Sequence, residues 1–118
     1  MLHHVGIEVA PPEIEATVGF FALLWFERVE RPETLREYTW VEREGTQVHL
    51  MPRAEPVIPP VGHIAVVAPD FEAALQRLQD AGFEAERRRE HWGSPRAWAV
   101  APSGHRVELM GAPPPQVA

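Results

Sequence analysis

Four polar side chains interrupt otherwise apolar runs in this sequence: His4, His49, His63 and Glu108 each stand among Val, Ile, Leu or Met. Imidazole and carboxylate in such surroundings need partners, because unpaired polar groups are costly to bury. A divalent metal would satisfy all four, and N/O ligation without thiolate suits Zn, Ni, Mn, Co or Fe(II). Taken singly, each histidine reads better as a buried ring bonded to a backbone carbonyl. Their spacing links them. Val48-His49-Leu50-Met51 returns as Val107-Glu108-Leu109-Met110, an offset of 59 residues. The same offset carries His4-Val5-Gly6-Ile7 onto His63-Ile64-Ala65-Val66 and Gly45 onto Gly104. In each half, 45 residues separate the opening histidine from the closing polar residue. A repeat that places ligand-type residues in register points to a shared metal site.

The elements that must position these residues follow the same repeat. Leu2 to Val9 is strand-like, and Pro11-Pro12 ends it and suits a helix start. Ile14, Val18, Phe21 and Leu24 recur at helical steps. Residues 25–30, 37–43 and 46–51 read as three strands, with turns marked by Pro32 and Gly45. The second half gives a strand over residues 62–68 and then a helix. Asp70 is its N-cap, Phe71, Ala74, Leu75, Leu78 and Ala81 are its apolar stripe, and Gly82 stops it. Strands over residues 83–89, 97–101 and 105–110 follow. The expected domain is a single α+β unit over residues 1–111, made of two βαβββ modules, 2–51 and 61–111. Proline-rich residues 52–60 form the linker, and residues 112–118 a flexible or peripheral tail.

Composition narrows the function classes. The chain has 118 residues, a formal net charge of −6, and no cysteine. There is no thiol nucleophile, no disulfide framework and no cysteine-bound metal. All 11 basic residues are arginine. An acidic chain lacks the electrostatic footprint of a nucleic-acid binder. The dense basic run Arg87-Arg88-Arg89 is flanked by Glu84, Glu86 and Glu90, so it reads as a solvated face. No apolar stretch approaches the roughly 20 residues of a membrane helix. The start, Met1-Leu2-His3-His4, does not read as a signal peptide. The expectation is a cytoplasmic protein with a small-molecule substrate and neither nucleic-acid nor membrane partners.

These residues carry a family resemblance. His4-Val5-Gly6-Ile7, Gly62-His63-Ile64-Ala65-Val66 and Pro102-Ser103-Gly104-His105-Arg106-Val107-Glu108-Leu109 resemble the vicinal oxygen chelate superfamily, over about residues 2 to 111. That superfamily includes glyoxalase I, bleomycin-resistance proteins, fosfomycin-resistance transferases, methylmalonyl-CoA epimerase and extradiol dioxygenases. The resemblance implies paired βαβββ modules in a curved eight-stranded mixed β-sheet around a divalent metal, and frequent homodimerisation. It assigns His4 and His63 to the opening-strand ligand slots and His49 and Glu108 to the closing-strand slots. Glyoxalase I typically has glutamate where His49 stands. The metal would chelate two neighbouring substrate oxygens and stabilise an enolate or oxyanion. Glu108 is then ligand and proton carrier, with His49 as the alternative base. Three function readings follow: a glyoxalase I-like lyase or isomerase, a ring-cleaving dioxygenase using His4, His63 and Glu108, or a non-catalytic drug-binding dimer of the bleomycin-resistance type.

Other residues take secondary places. Trp40 and Trp98, in the middle strands, and Arg96, after a loop containing His91, are candidate substrate contacts. His3 precedes His4, so strand parity sends it to the opposite, exposed face. His105, three residues before Glu108, is expected at the surface near a turn.

Overall fold

A computed structural model describes residues 1–116 of the chain, in two compact units that divide between Ile58 and Pro59. Each is a four-stranded mixed sheet with one α-helix.

In the first unit the order is β1 (His4–Val9), α1 (Ile14–Ala22), β2 (Glu27–Val29), β3 (Thr39–Arg43) and β4 (Thr46–Pro52). The sheet order is β1-β4-β3-β2, with β1 and β4 parallel and the other pairs antiparallel. The unit's first and last strands are therefore neighbours, with Gly6 opposite His49. Side chains alternate across the sheet. Ile7, Val9, Val41, Val48 and Leu50 are buried in the core with α1, and His4, His49 and Trp40 share the other face. A 3-10 turn, Pro11–Glu13, precedes α1 and absorbs the proline pair. The buried face of α1 is Thr17, Phe20, Phe21 and the following Leu24, whereas Ile14 and Val18 are only half-buried. Apolar spacing alone favours Ile14 and Val18. Thr17 is accommodated because its hydroxyl donates to the Glu13 carbonyl at 2.8 Å.

The second unit repeats the plan with β5 (Ile64–Val67), α2 (Phe71–Asp80), β6 (Ala85–Arg88), β7 (Arg96–Val100) and β8 (Arg106–Met110), in sheet order β5-β8-β7-β6. Again the first and last strands pair in parallel, and Ala65 lies opposite Glu108. The 59-residue offset that relates the sequences maps Gly6–His49 onto Ala65–Glu108, so the register repeats as well. Asp70 caps α2 by accepting from the Ala73 amide at 3.4 Å, and Phe71, Ala74, Leu75 and Leu78 are buried. Gly82 ends the helix at φ +87°, a left-handed conformation that glycine adopts without strain. Ion pairs from the edge strand to the helix recur too: Arg28 with Glu15 in the first unit, Arg87 with Glu72 in the second.

The boundaries differ from the sequence expectation in several places. β4 continues through Pro52, and the Arg53 amide donates to the Val9 carbonyl at 2.9 Å, so the ladder extends into the expected linker. The second strand of each unit and the third strand of the first are shorter than the apolar pattern suggests, whereas β7 has the expected length and begins one residue earlier. In the first unit this is because Trp25 turns at φ +67° and Glu33–Leu35 forms a 3-10 turn. His105 is buried at 6% exposure rather than surface-exposed; its Nδ1 lies 2.9 Å from the Ser103 hydroxyl within the turn. In the expected tail, the Ala112 carbonyl accepts from the Trp92 indole at 3.1 Å; residues 117 and 118 lie outside the described residues. No helix among the described residues is long and apolar enough to cross a membrane.

Candidate functional site

Each unit brings its sequence-nominated donors together, and the two sets are best taken separately. In the first unit, β1 delivers His4 and β4 delivers His49. Their rings stack at 3.9 Å between centroids with an interplanar angle of 12°. Gly6, directly across from His49, has no side chain on the shared face. On its other flank His49 lies parallel to Trp40, its cross-strand partner, at 3.9 Å and 1°.

A hydrogen-bond chain fixes the His49 tautomer. The Gln47 amide nitrogen donates to Glu42 Oε1 at 2.8 Å, which turns the Gln47 carbonyl oxygen toward His49 Nε2 at 2.7 Å. That oxygen only accepts, so Nε2 carries the proton and Nδ1 keeps its lone pair. Metal-ligating histidines are commonly held this way, with the second ring nitrogen donating to an oxygen. Burial, followed by the neighbouring His4 and His3, lowers the His49 pKa from 6.5 to about 4. The ring is therefore neutral near pH 7, the form a metal requires.

His3 departs from the parity expectation. It precedes the first strand residue, so the alternation of the pleat does not bind it. Its ring turns edge-on to His4, with the two Nδ1 atoms 2.9 Å apart. Ligand atoms of His3, His4 and His49 lie within 4.8 Å of one another. Sequence reasoning also passes over Gln47. It lies two residues before His49 and therefore on the same strand face, which is the available signal.

In the second unit, His63 stands just before β5 and Glu108 lies in β8, 8% exposed. His63 Nδ1 is 2.9 Å from the Val61 carbonyl, which only accepts, so Nδ1 carries a proton. Nε2 then faces Glu108 Oε1 at 3.3 Å. A lone pair and a carboxylate oxygen facing each other at this distance repel unless a proton or a cation stands between them. The other carboxylate oxygen, Oε2, accepts from Arg96 Nε at 2.8 Å. Arg96 is 9% exposed and also donates to the Arg89 carbonyl at 2.9 Å. Its charge is thus committed to Glu108, which leaves Oε1 as the oxygen open to His63. Trp98, opposite Glu108 in the register, meets His63 edge-on at 4.5 Å and carries the Arg106 guanidinium 4.1 Å from its ring centroid. Trp40 and Trp98 are therefore equivalent residues, each paired with its unit's closing-strand donor.

Among the described residues, the Trp40 indole Nε1 is a buried donor without an acceptor. The donor chemistry fits a divalent metal in both units: an imidazole pair in one, an imidazole beside an anchored carboxylate in the other.

Comparison with known proteins agrees with this architecture. A protein from Bacillus anthracis described as of the glyoxalase family is similar at 20% identity and TM-score 0.82, covering 93% of each chain. The fosfomycin resistance protein FosX from Listeria monocytogenes is similar at 17% identity and TM-score 0.77, covering 96% of this chain and 91% of its own. TnmS3, an antibiotic binding protein from Streptomyces sp. CB03234, is similar at 16% identity and TM-score 0.70, covering 93% of each. Likenesses at this identity carry the fold alone. No curated protein matches the sequence. The family model for the glyoxalase/bleomycin resistance protein/dioxygenase superfamily matches residues 2–109, and the chain belongs to that superfamily.

Proposed function

We propose that the chain is a metal-dependent enzyme of the lyase or isomerase kind within this superfamily, with His4 and His49 of the first unit and His63 and Glu108 of the second as metal donors. The observation that carries this reading is the placing of His63 Nε2 3.3 Å from Glu108 Oε1, an imidazole beside a carboxylate whose other oxygen is anchored by Arg96, a gap that a proton or a divalent cation fills. The divalent metal would polarise two neighbouring oxygens of a small-molecule substrate and stabilise an enolate or oxyanion.

The protein's own residues do the rest. Arg96 pins Glu108 Oε2 and so aims Oε1. Gln47 holds the His49 Nε2 proton and leaves Nδ1 as donor. His49, whose Nε2 proton is held by Gln47, acts as ligand, and Glu108, the carboxylate among the four, as the group that moves the proton. Trp40 and Trp98 give each donor pair an aromatic flank. The enzyme acts in the cytoplasm, as a homodimer.

The test is metal analysis of untagged protein reconstituted in turn with Ni, Zn, Mn, Co and Fe(II). About one equivalent or more is expected, bound less tightly in His63→Ala and in Glu108→Ala; under a tenth of an equivalent with every metal ends the reading. On the loaded protein, deuterium uptake from D2O at the carbon beside a carbonyl supports isomerase or lyase chemistry. Oxygen consumption with a catechol instead supports a dioxygenase. Tight glycopeptide binding by metal-free protein, unchanged in His63→Ala, supports drug sequestration.

A further inference from the structure

We infer that His3 is a third imidazole donor beside His4 and His49, so that the first unit by itself holds a divalent cation of the Zn(II) or Co(II) type. The inference rests on the donor roles proposed above for His4 and His49 and adds a ligand from outside the repeat. The position equivalent to His3 in the second half is Gly62, so the second unit has no counterpart.

Three features support it. The backbone of His3 is fixed, because its carbonyl accepts from the Gln47 amide at 2.9 Å and prolongs the β1–β4 ladder by one residue. The His3 and His4 Nδ1 atoms lie 2.9 Å apart, so two imidazole donor atoms are already adjacent. Two ligand atoms on one zinc ion stand roughly 3.0–3.5 Å apart, from bond lengths near 2.1 Å and tetrahedral angles. The ligand atoms already lie within 4.8 Å of one another, and His3 and His4, both exposed, are the rings with room to turn toward His49. All three donors are nitrogen, which selects borderline metals over Mg and Ca.

The test uses the full untagged chain and Co(II) as the probe, read by visible absorption and by equivalents bound. In the His63→Ala/Glu108→Gln background the first unit is expected to retain about one equivalent of cobalt. Adding His3→Gln is expected to weaken it at least tenfold. In the otherwise unaltered chain, His3→Gln at this exposed position is expected to change the cobalt d–d spectrum, a readout that does not depend on the double variant folding. An unchanged spectrum together with unchanged affinity overturns the inference. If the unaltered chain binds cobalt and a folded double variant does not, the inference fails while the four-donor reading stands. If neither binds, both fail.

Discussion

Mild acid should destabilise the metal-free protein through His49 specifically. The folded state holds this ring at a pKa of about 4, against an ordinary imidazole value of 6.5. Between those values the unfolded chain binds a proton that the folded chain refuses, so stability rises with pH across the window and is lost as pH falls from about 6.5 toward 4. Below the folded pKa both states are protonated and the loss levels off. At pH 5, integration of the two titrations gives a loss of about 2 kcal/mol relative to pH 7.5, and the limiting value is about 3 kcal/mol. That is a large share of a total stability of about 5–15 kcal/mol. The assay is urea unfolding in EDTA at pH 7.5, 6 and 5, comparing wild type with His49→Gln. Groups common to both proteins cancel in the difference. The wild type should lose about 2 kcal/mol more than the variant between pH 7.5 and 5. Stability curves that stay parallel across the range would refute the argument that burial and two neighbouring imidazoles keep His49 neutral.

Two further outcomes follow from packing and charge. Arg96→Met leaves the Glu108 carboxylate buried without its cation and should cost about 3 kcal/mol in urea unfolding, while Arg96→Met/Glu108→Leu should recover most of it; a double variant no better than the single would contradict the pairing. Leu50 and Leu109, repeat equivalents that are both fully buried, should each cost about 2–5 kcal/mol as alanine, and a loss under about 1 kcal/mol at either would contradict its place in the core.

The sequence makes some of this legible and hides the rest, for physical reasons. The 59-residue offset is enough to identify the two modules, because register and side-chain parity are local properties that repeat with the chain. Val48, Leu50, Val107 and Leu109 lie inward and His49 and Glu108 on the opposite face for that reason. His3 escapes the parity rule because parity holds only inside a strand, and β1 begins at His4. The burial of His105 depends on a turn in which Ser103 partners it, which no periodicity encodes. Arg96 resembles an anion contact in the sequence because its partner, Glu108, is 12 residues away and is brought to it only by the β7–β8 pairing. Thr17 and Phe20 displace Ile14 and Val18 from the buried helix face because a short helix entered through a 3-10 turn rotates its stripe.

The parallel pairing of each unit's first and last strands has a kinetic consequence. His4 and His49 become neighbours only when a loop of about 45 residues closes, and the same holds for His63 and Glu108. Closing a loop of that length costs about 3 kcal/mol of chain entropy before any contact rewards it. Hairpins β3–β4 and β7–β8 have far shorter connections and can form first. The donor pairs are therefore assembled in the late, long-range step of folding. Anything that bridges a pair acts as a reversible crosslink on that closure, and its release would be felt first as separation of the opening strand from the hairpin behind it.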